Sequence, residues 1–89
     1  MALLQFHVRL FARARDLAQT DTVCVPVDRA ASDGTVTIGE LKAALAEQVP
    51  ALAPLMRNLL FAVGTDYADD SAAVRPTDEI ACFPPVSGG

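Results

Sequence analysis

Six residues at the end of the sequence, Pro84-Pro85-Val86-Ser87-Gly88-Gly89, have a composition that points to chemistry more than to packing. Two consecutive prolines stiffen an extended backbone, so the residues that follow project instead of folding back. Six extended residues reach about 20 Å. Gly88 and Gly89 carry no Cβ, so they can pass through a narrow channel and let another protein's groups approach the backbone. The carboxyl of Gly89 is then the least hindered that a peptide offers. A free carboxylate is a poor electrophile. Activated by ATP as an acyl-adenylate it becomes reactive, and attack by sulfur would leave a thiocarboxylate, a soft nucleophile. The plain alternative is a frayed terminus, since glycine and serine ends are common. The proline pair and the lack of a competing site weigh against it.

That lack is general. The two thiols, Cys24 and Cys82, both sit inside apolar runs and are expected to be buried core thiols, because a free cysteine behaves as a small hydrophobe. With His7 they supply too few ligands for a metal site. No nucleophile, base and acid can be assembled into a catalytic set. Seven basic residues are scattered along the chain, with Lys42 the only lysine, and the net charge is −4. Without a basic cluster, nucleic acid and anionic membrane surfaces are poor partners. The start, MALLQFHVRLF, shows no small-residue cleavage site, and no segment is long enough to span a bilayer. A cytoplasmic protein is expected.

Eighty-nine residues make one domain, and a chain of this size buries only roughly 60–65% of the surface that it exposes unfolded. Little stability is left for an elaborate internal site. The hydrophobic share of 52% is rich in alanine, and its excess hints at a surface that a partner covers.

The elements that would hold the tail follow from periodicity. Leu4 to Phe11 alternates, with Leu4, Phe6, Val8 and Leu10 on one side and Gln5, His7 and Arg9 on the other, which predicts a strand with one buried face. Phe11 to Ala18 reads as a short turn or helix. Thr22 to Val27 reads as a second strand, placed at an edge or ended early by Pro26. Ala30 to Gly34 is a loop. Thr37-Ile38-Gly39-Glu40 has the form of a capping box, and Ile38, Leu41, Leu45 and Val49 follow at helical spacing, with Lys42, Glu47 and Gln48 facing away. Pro50 stops that helix. Leu52 to Leu59 makes a helical turn, Leu60 to Val63 a strand, Gly64-Thr65-Asp66 a turn. Tyr67 to Val74 is ambiguous. Arg75 to Asp78 is a turn, and Glu79 to Phe83 the last strand. One amphipathic helix against one sheet face gives a two-layer α+β domain over residues 1–83, with 84–89 as its tail.

Phe11-Ala12-Arg13-Ala14-Arg15-Asp16, the helix from Thr37 to Val49 and the ending Cys82-Phe83-Pro84-Pro85-Val86-Ser87-Gly88-Gly89 together resemble the MoaD family, the small subunits of molybdopterin synthase. The resemblance covers essentially the whole chain. It implies a ubiquitin-like β-grasp fold, a mixed sheet of four to five strands on one main helix. It also implies a sulfur carrier: an E1-like adenylyltransferase would adenylate Gly89, a sulfurtransferase would supply sulfur, and the thiocarboxylate would pass it to cyclic pyranopterin monophosphate in molybdenum cofactor biosynthesis. On that analogy Phe83, Pro84, Pro85, Val86, Ser87 and Gly88 form a tail inserted into the large synthase subunit of a heterotetramer, and the exposed sheet face docks. The chain would bind no cofactor of its own; ATP is used by the activating enzyme. Where the family often has Asn-Gly and Asp-Gly-Asp-Glu turns, this chain has Gly64-Thr65-Asp66 and Pro76-Thr77-Asp78-Glu79, both suited to turns. Two alternatives stay open: a carrier for thiamine or cysteine synthesis, and a ubiquitin-like modifier joining Gly89 to lysines of other proteins. Thiamine-type endings usually lack the proline pair.

Among the remaining residues, His7 reads as a solvated strand residue, and Arg13 and Arg15 as partner contacts or, for Arg15, an ion pair across the fold. Asp66, Asp69, Asp70, Asp78 and Glu79 read as a solvated acidic face that could steer a basic partner.

Overall fold

The computed structural model describes residues 2–29 and 35–85. Strand β1 (Ala2–Leu10) leads into α1 (Ala12–Ala18) and then β2 (Thr22–Arg29). A two-residue strand β3 (Val36–Thr37) opens directly into α2 (Ile38–Gln48), followed by a 3-10 helix (Pro50–Asn58). Strands β4 (Leu60–Val63), β5 (Asp66–Ala68), β6 (Ala73–Val74) and β7 (Ile80–Phe83) complete the elements of the described residues. Five strands form one sheet in the order β2-β1-β7-β4-β5, and β3 pairs with β6 in a separate ribbon. β7 runs parallel to β1 and antiparallel to β4, so the sheet is mixed and the last strand lies at its centre.

Alternation in β1 and β2 does what the sequence pattern predicts. Phe6 faces Val25 and Val8 faces Val23 in register, and all four are buried. Pro26 falls on β2, an edge strand, where a missing N–H costs no ladder bond. The inward faces of the five strands meet Ile38, Leu41 and Leu45 of α2 and Leu52 of the 3-10 helix, all fully buried. Each such aliphatic side chain taken from water contributes about 1.5–3 kcal/mol. The capping box is present as drawn: Thr37 Oγ1 accepts from the Glu40 amide at 3.1 Å, and the Glu40 carboxylate accepts from the Thr37 amide at 2.9 Å.

The structure departs from the sequence reading at several points. β1 ends at Leu10, and Phe11 leaves the ladder because Ala12 adopts φ 53, which swings the chain into α1. Phe11 stays anchored by donating its amide to the Cys82 carbonyl at 3.1 Å. The ambiguous stretch from Tyr67 to Val74 resolves into the end of β5, a turn and β6, where Val74 pairs with Val36. Asp66 is part of β5 and not of the turn, which is the two-residue Gly64-Thr65 loop with Gly64 at φ 64. Ala30 to Gly34, read as a loop, lies outside the described residues.

Cys24 corrects the expectation that both thiols are buried. Cys82 is buried completely, and burial pushes its thiol up to about 12. Cys24 is exposed. Val23, Val25 and Val27 take the inward positions of β2, which puts Cys24 on the outer face between Thr22 and Pro26. Its thiol donates to Gln5 Oε1 at 3.1 Å, and His7 is its cross-strand partner. Lys42 also differs from expectation: it turns back over the Phe61 ring instead of facing water.

Candidate functional site

The tail leaves the middle strand of the sheet. Phe83 ends β7 opposite Leu60 of β4, and its side chain is on the outer face, since Ile80 and Cys82 take the inward positions. Ala81, Ala62 and Tyr67 follow one another across β7, β4 and β5 on that same face. Tyr67 and Phe83 lie on strands either side of β4, yet their ring centroids are 5.8 Å apart with the planes tilted by 55°. That tilted arrangement suits the quadrupoles of two rings. The small side chain of Ala62 leaves the space over which they approach. Tyr67 remains 74% exposed even so, and Phe11, on the other side of β7, is 41% exposed. They are the large hydrophobic side chains left open to water among the described residues. Arg9 places its guanidinium 5.5 Å from the Phe11 ring centroid, a cation over an aromatic face.

The root of the tail is thus ringed by aromatic rings from three strands or their ends. Sequence reasoning placed Phe83, Pro84 and Pro85 here, and the structure puts Phe83 in the apolar patch, with Pro84 half-buried and Pro85 exposed. Two prolines bring no amide donor, so the ladder of β7 ends where they begin. Val86, Ser87, Gly88 and Gly89 lie outside the described residues. Sequence reasoning missed Tyr67 and Phe11. Alternation in a three-residue strand is too short to show that Tyr67 points outward, and Phe11 had been counted as the end of a buried-face strand.

The other residues weighed for function separate from this patch. Gln5, His7 and Cys24 occupy the opposite half of the outer face, on β1 and β2. Among the described residues Arg15 pairs with its sequence neighbour Asp16, at 3.8 Å and largely in solvent, and with no acid across the fold. Part of the acidic region holds turns. Asp69 accepts from the Ser71 hydroxyl at 2.7 Å and the Ser71 amide at 3.0 Å, which holds its carboxyl below the usual range. Asp78 accepts from the Arg75 amide at 2.9 Å, and Asp70 from Lys42 at 2.6 Å. Among the described residues no group of three His, Cys, Asp or Glu side chains could hold a metal ion, and no helix is long and apolar enough to cross a membrane.

A mixed five-stranded sheet on one main helix, with the chain's end issuing from the central strand, defines a ubiquitin-like β-grasp protein. Residues 8–89 match the ThiS family, and the chain belongs to it. Molybdopterin synthase sulfur carrier subunits are among its relatives. That of Arabidopsis thaliana is 33% identical over 97% of this chain and 84% of the relative, and that of Homo sapiens 30% identical over 98% and 97%. These bear out the resemblance drawn from the motifs. Among solved structures, SAMP1 from Haloferax volcanii superposes with a TM-score of 0.75 at 31% identity, covering 96% of this chain and 99% of that one. The small archaeal modifier protein 1 of Methanosarcina acetivorans has the same fold, with a TM-score of 0.75 at 19% identity and full coverage of both chains.

Proposed function

We propose that this chain is the sulfur carrier subunit of a molybdopterin synthase, acting in the cytoplasm. An E1-like adenylyltransferase adenylates Gly89, joining its carboxylate to AMP with loss of pyrophosphate. The outer sulfur of a sulfurtransferase persulfide attacks the acyl carbon and AMP leaves. A thiol then cleaves the resulting acyl disulfide, which frees the thiocarboxylate of Gly89 and leaves a disulfide on the sulfurtransferase side. The tail from Phe83 to Gly89 enters the large subunit, where the sulfur bonds to a carbon of cyclic pyranopterin monophosphate. Water hydrolyses the resulting thioester, leaving the sulfur on the pterin and regenerating the carboxylate. The acid and base groups belong to that subunit. Phe11, Leu60, Tyr67 and Phe83 form the docking surface around the root of the tail. This chain binds no cofactor and is not an enzyme alone; ATP is spent by its activator.

The observation that carries this reading is the near full-length likeness to named sulfur carrier subunits, joined to a Pro-Pro-Val-Ser-Gly-Gly ending that follows the central strand. The test is intact mass after incubation with activating enzyme, ATP and a sulfur donor. Replacement of one oxygen by sulfur at the terminus, followed by dithiolene formation when large subunit and pyranopterin are added, is the expected outcome. Deleting Gly89, or adding one residue after it, abolishes transfer and leaves the melting temperature nearly unchanged. Transfer retained by either variant overturns the assignment.

A second reading, a ubiquitin-like modifier joined through Gly89 to lysines of other proteins, is favoured by the 31% identity to SAMP1. It predicts covalent conjugates in the cells of origin in place of a free thiocarboxylate. A carrier for thiamine or cysteine synthesis would form the thiocarboxylate yet fail to make dithiolene with the large subunit.

A further inference from the structure

Lys42 is the only lysine in the sequence. Its place on α2 is one from which a lysine would ordinarily extend into water, and yet its side chain is only 20% exposed. Nζ donates to Asp70 Oδ1 at 2.6 Å and lies 5.6 Å from the centroid of the Phe61 ring. The groove around it is walled by Leu60, Phe61 and Tyr67. Asp70 is itself tied to the start of α2, because its carbonyl accepts from the Gly39 amide at 2.9 Å. The carboxylate is therefore held at the mouth of the groove and the ammonium inside it.

An activated acyl group has a natural enemy in an amine. Resting on the reading that Gly89 is adenylated, we infer that the Lys42–Asp70 pair keeps this chain from acylating itself. The hazard is real by geometry: Phe61 is the cross-strand partner of Cys82, one residue before Phe83, and the six residues after Phe83 reach about 20 Å. In the reaction avoided, the Lys42 nitrogen attacks the carbonyl carbon of the acyl-adenylate. A C–N bond forms, the C–O bond to the adenylyl phosphate breaks, AMP departs with the electron pair and the amine proton passes to solvent. The hydrogen bond to Asp70 and the seat over the Phe61 ring hold Nζ inside the groove, and the walls of the groove limit the approach of a carbonyl to it.

The experiment compares wild type, D70N and D70N/K42R, each with activating enzyme and ATP and with the sulfur donor withheld, read by intact mass and peptide mapping. D70N should form isopeptide products at Lys42, either a ring of one chain less a water or a dimer of two chains less a water. Their yield should exceed wild type about threefold to fivefold, the freedom released when an ion pair exposed on its Asp70 side is lost. The double variant should form none. Equal yields in wild type and D70N, or linkage that survives Lys42→Arg, overturn the inference. AMP release by wild type reports activation: without it the proposed function falls and this inference with it, whereas AMP release with no product from D70N removes this inference alone. A readout free of any enzyme is acetylation by a small succinimidyl ester, which should modify Lys42 about threefold to fivefold faster in D70N; equal rates would contradict the shielding.

Discussion

The two halves of the outer sheet face differ although the same alternation builds both. On β1 and β2 the outward positions hold Gln5, His7, Arg9, Thr22 and Cys24, a mostly polar surface that water satisfies. On β7, β4 and β5 they hold Ala81, Phe83, Leu60, Ala62 and Tyr67, a surface that water does not. The inward faces of the two halves are alike, because both pack on the same helices. Burial within the domain therefore explains the inner pattern and leaves the outer difference unexplained. A cover supplied by another protein explains it, and the apolar half is the one from which the tail departs.

That contrast can be broken most directly by charge. Tyr67→Asp and Phe83→Asp should each weaken binding to a large synthase subunit by more than about 30-fold, the loss of a central aromatic anchor, while His7→Asp should change it less than about threefold. Calorimetric titration decides, and equal losses on both halves would end the distinction. A sharper version uses the thiols. Iodoacetamide should label Cys24 in the folded protein and leave Cys82 untouched until denaturant is added, since Cys82 is buried with its thiol pushed up to about 12 and stays neutral throughout the ordinary pH range. The Cys24-labelled chain should still bind the large subunit, because the label sits on the polar half. Mass spectrometry before and after binding reads both. The smallest effect is expected in the connection that feeds the polar half. Gln19 closes α1 at φ 60, its amide bonded to the Arg15 carbonyl at 2.8 Å. Gln19→Gly should raise stability by up to about 1 kcal/mol in a denaturant titration and leave binding alone.

Much of this arrangement was legible in the residues. The alternation of Leu4 to Leu10, the capping box of Thr37 and Glu40, and the proline stop after Val49 are local signals, each set by a few neighbours in the chain. Cys24 was legible too: valines at 23, 25 and 27 between Thr22, Pro26 and Asp28 already assign it to the outer face, but counting cysteine and proline as apolar hid the period. The β3–β6 ribbon was not legible, because two-residue strands carry no period and gain their pairing from α2 and its turns.

The sequence by itself determined the strand and helix faces, the single lysine and the Gly88-Gly89 pair beyond the two prolines, since these depend on residue type and spacing alone. Only the tertiary structure decided that Phe11, Tyr67 and Phe83, from distant parts of the chain, surround one exit, and that Lys42 is tied to Asp70. Those neighbourhoods come from the parallel pairing of β7 with β1 and the strand order around it, and no local periodicity encodes which strands become neighbours.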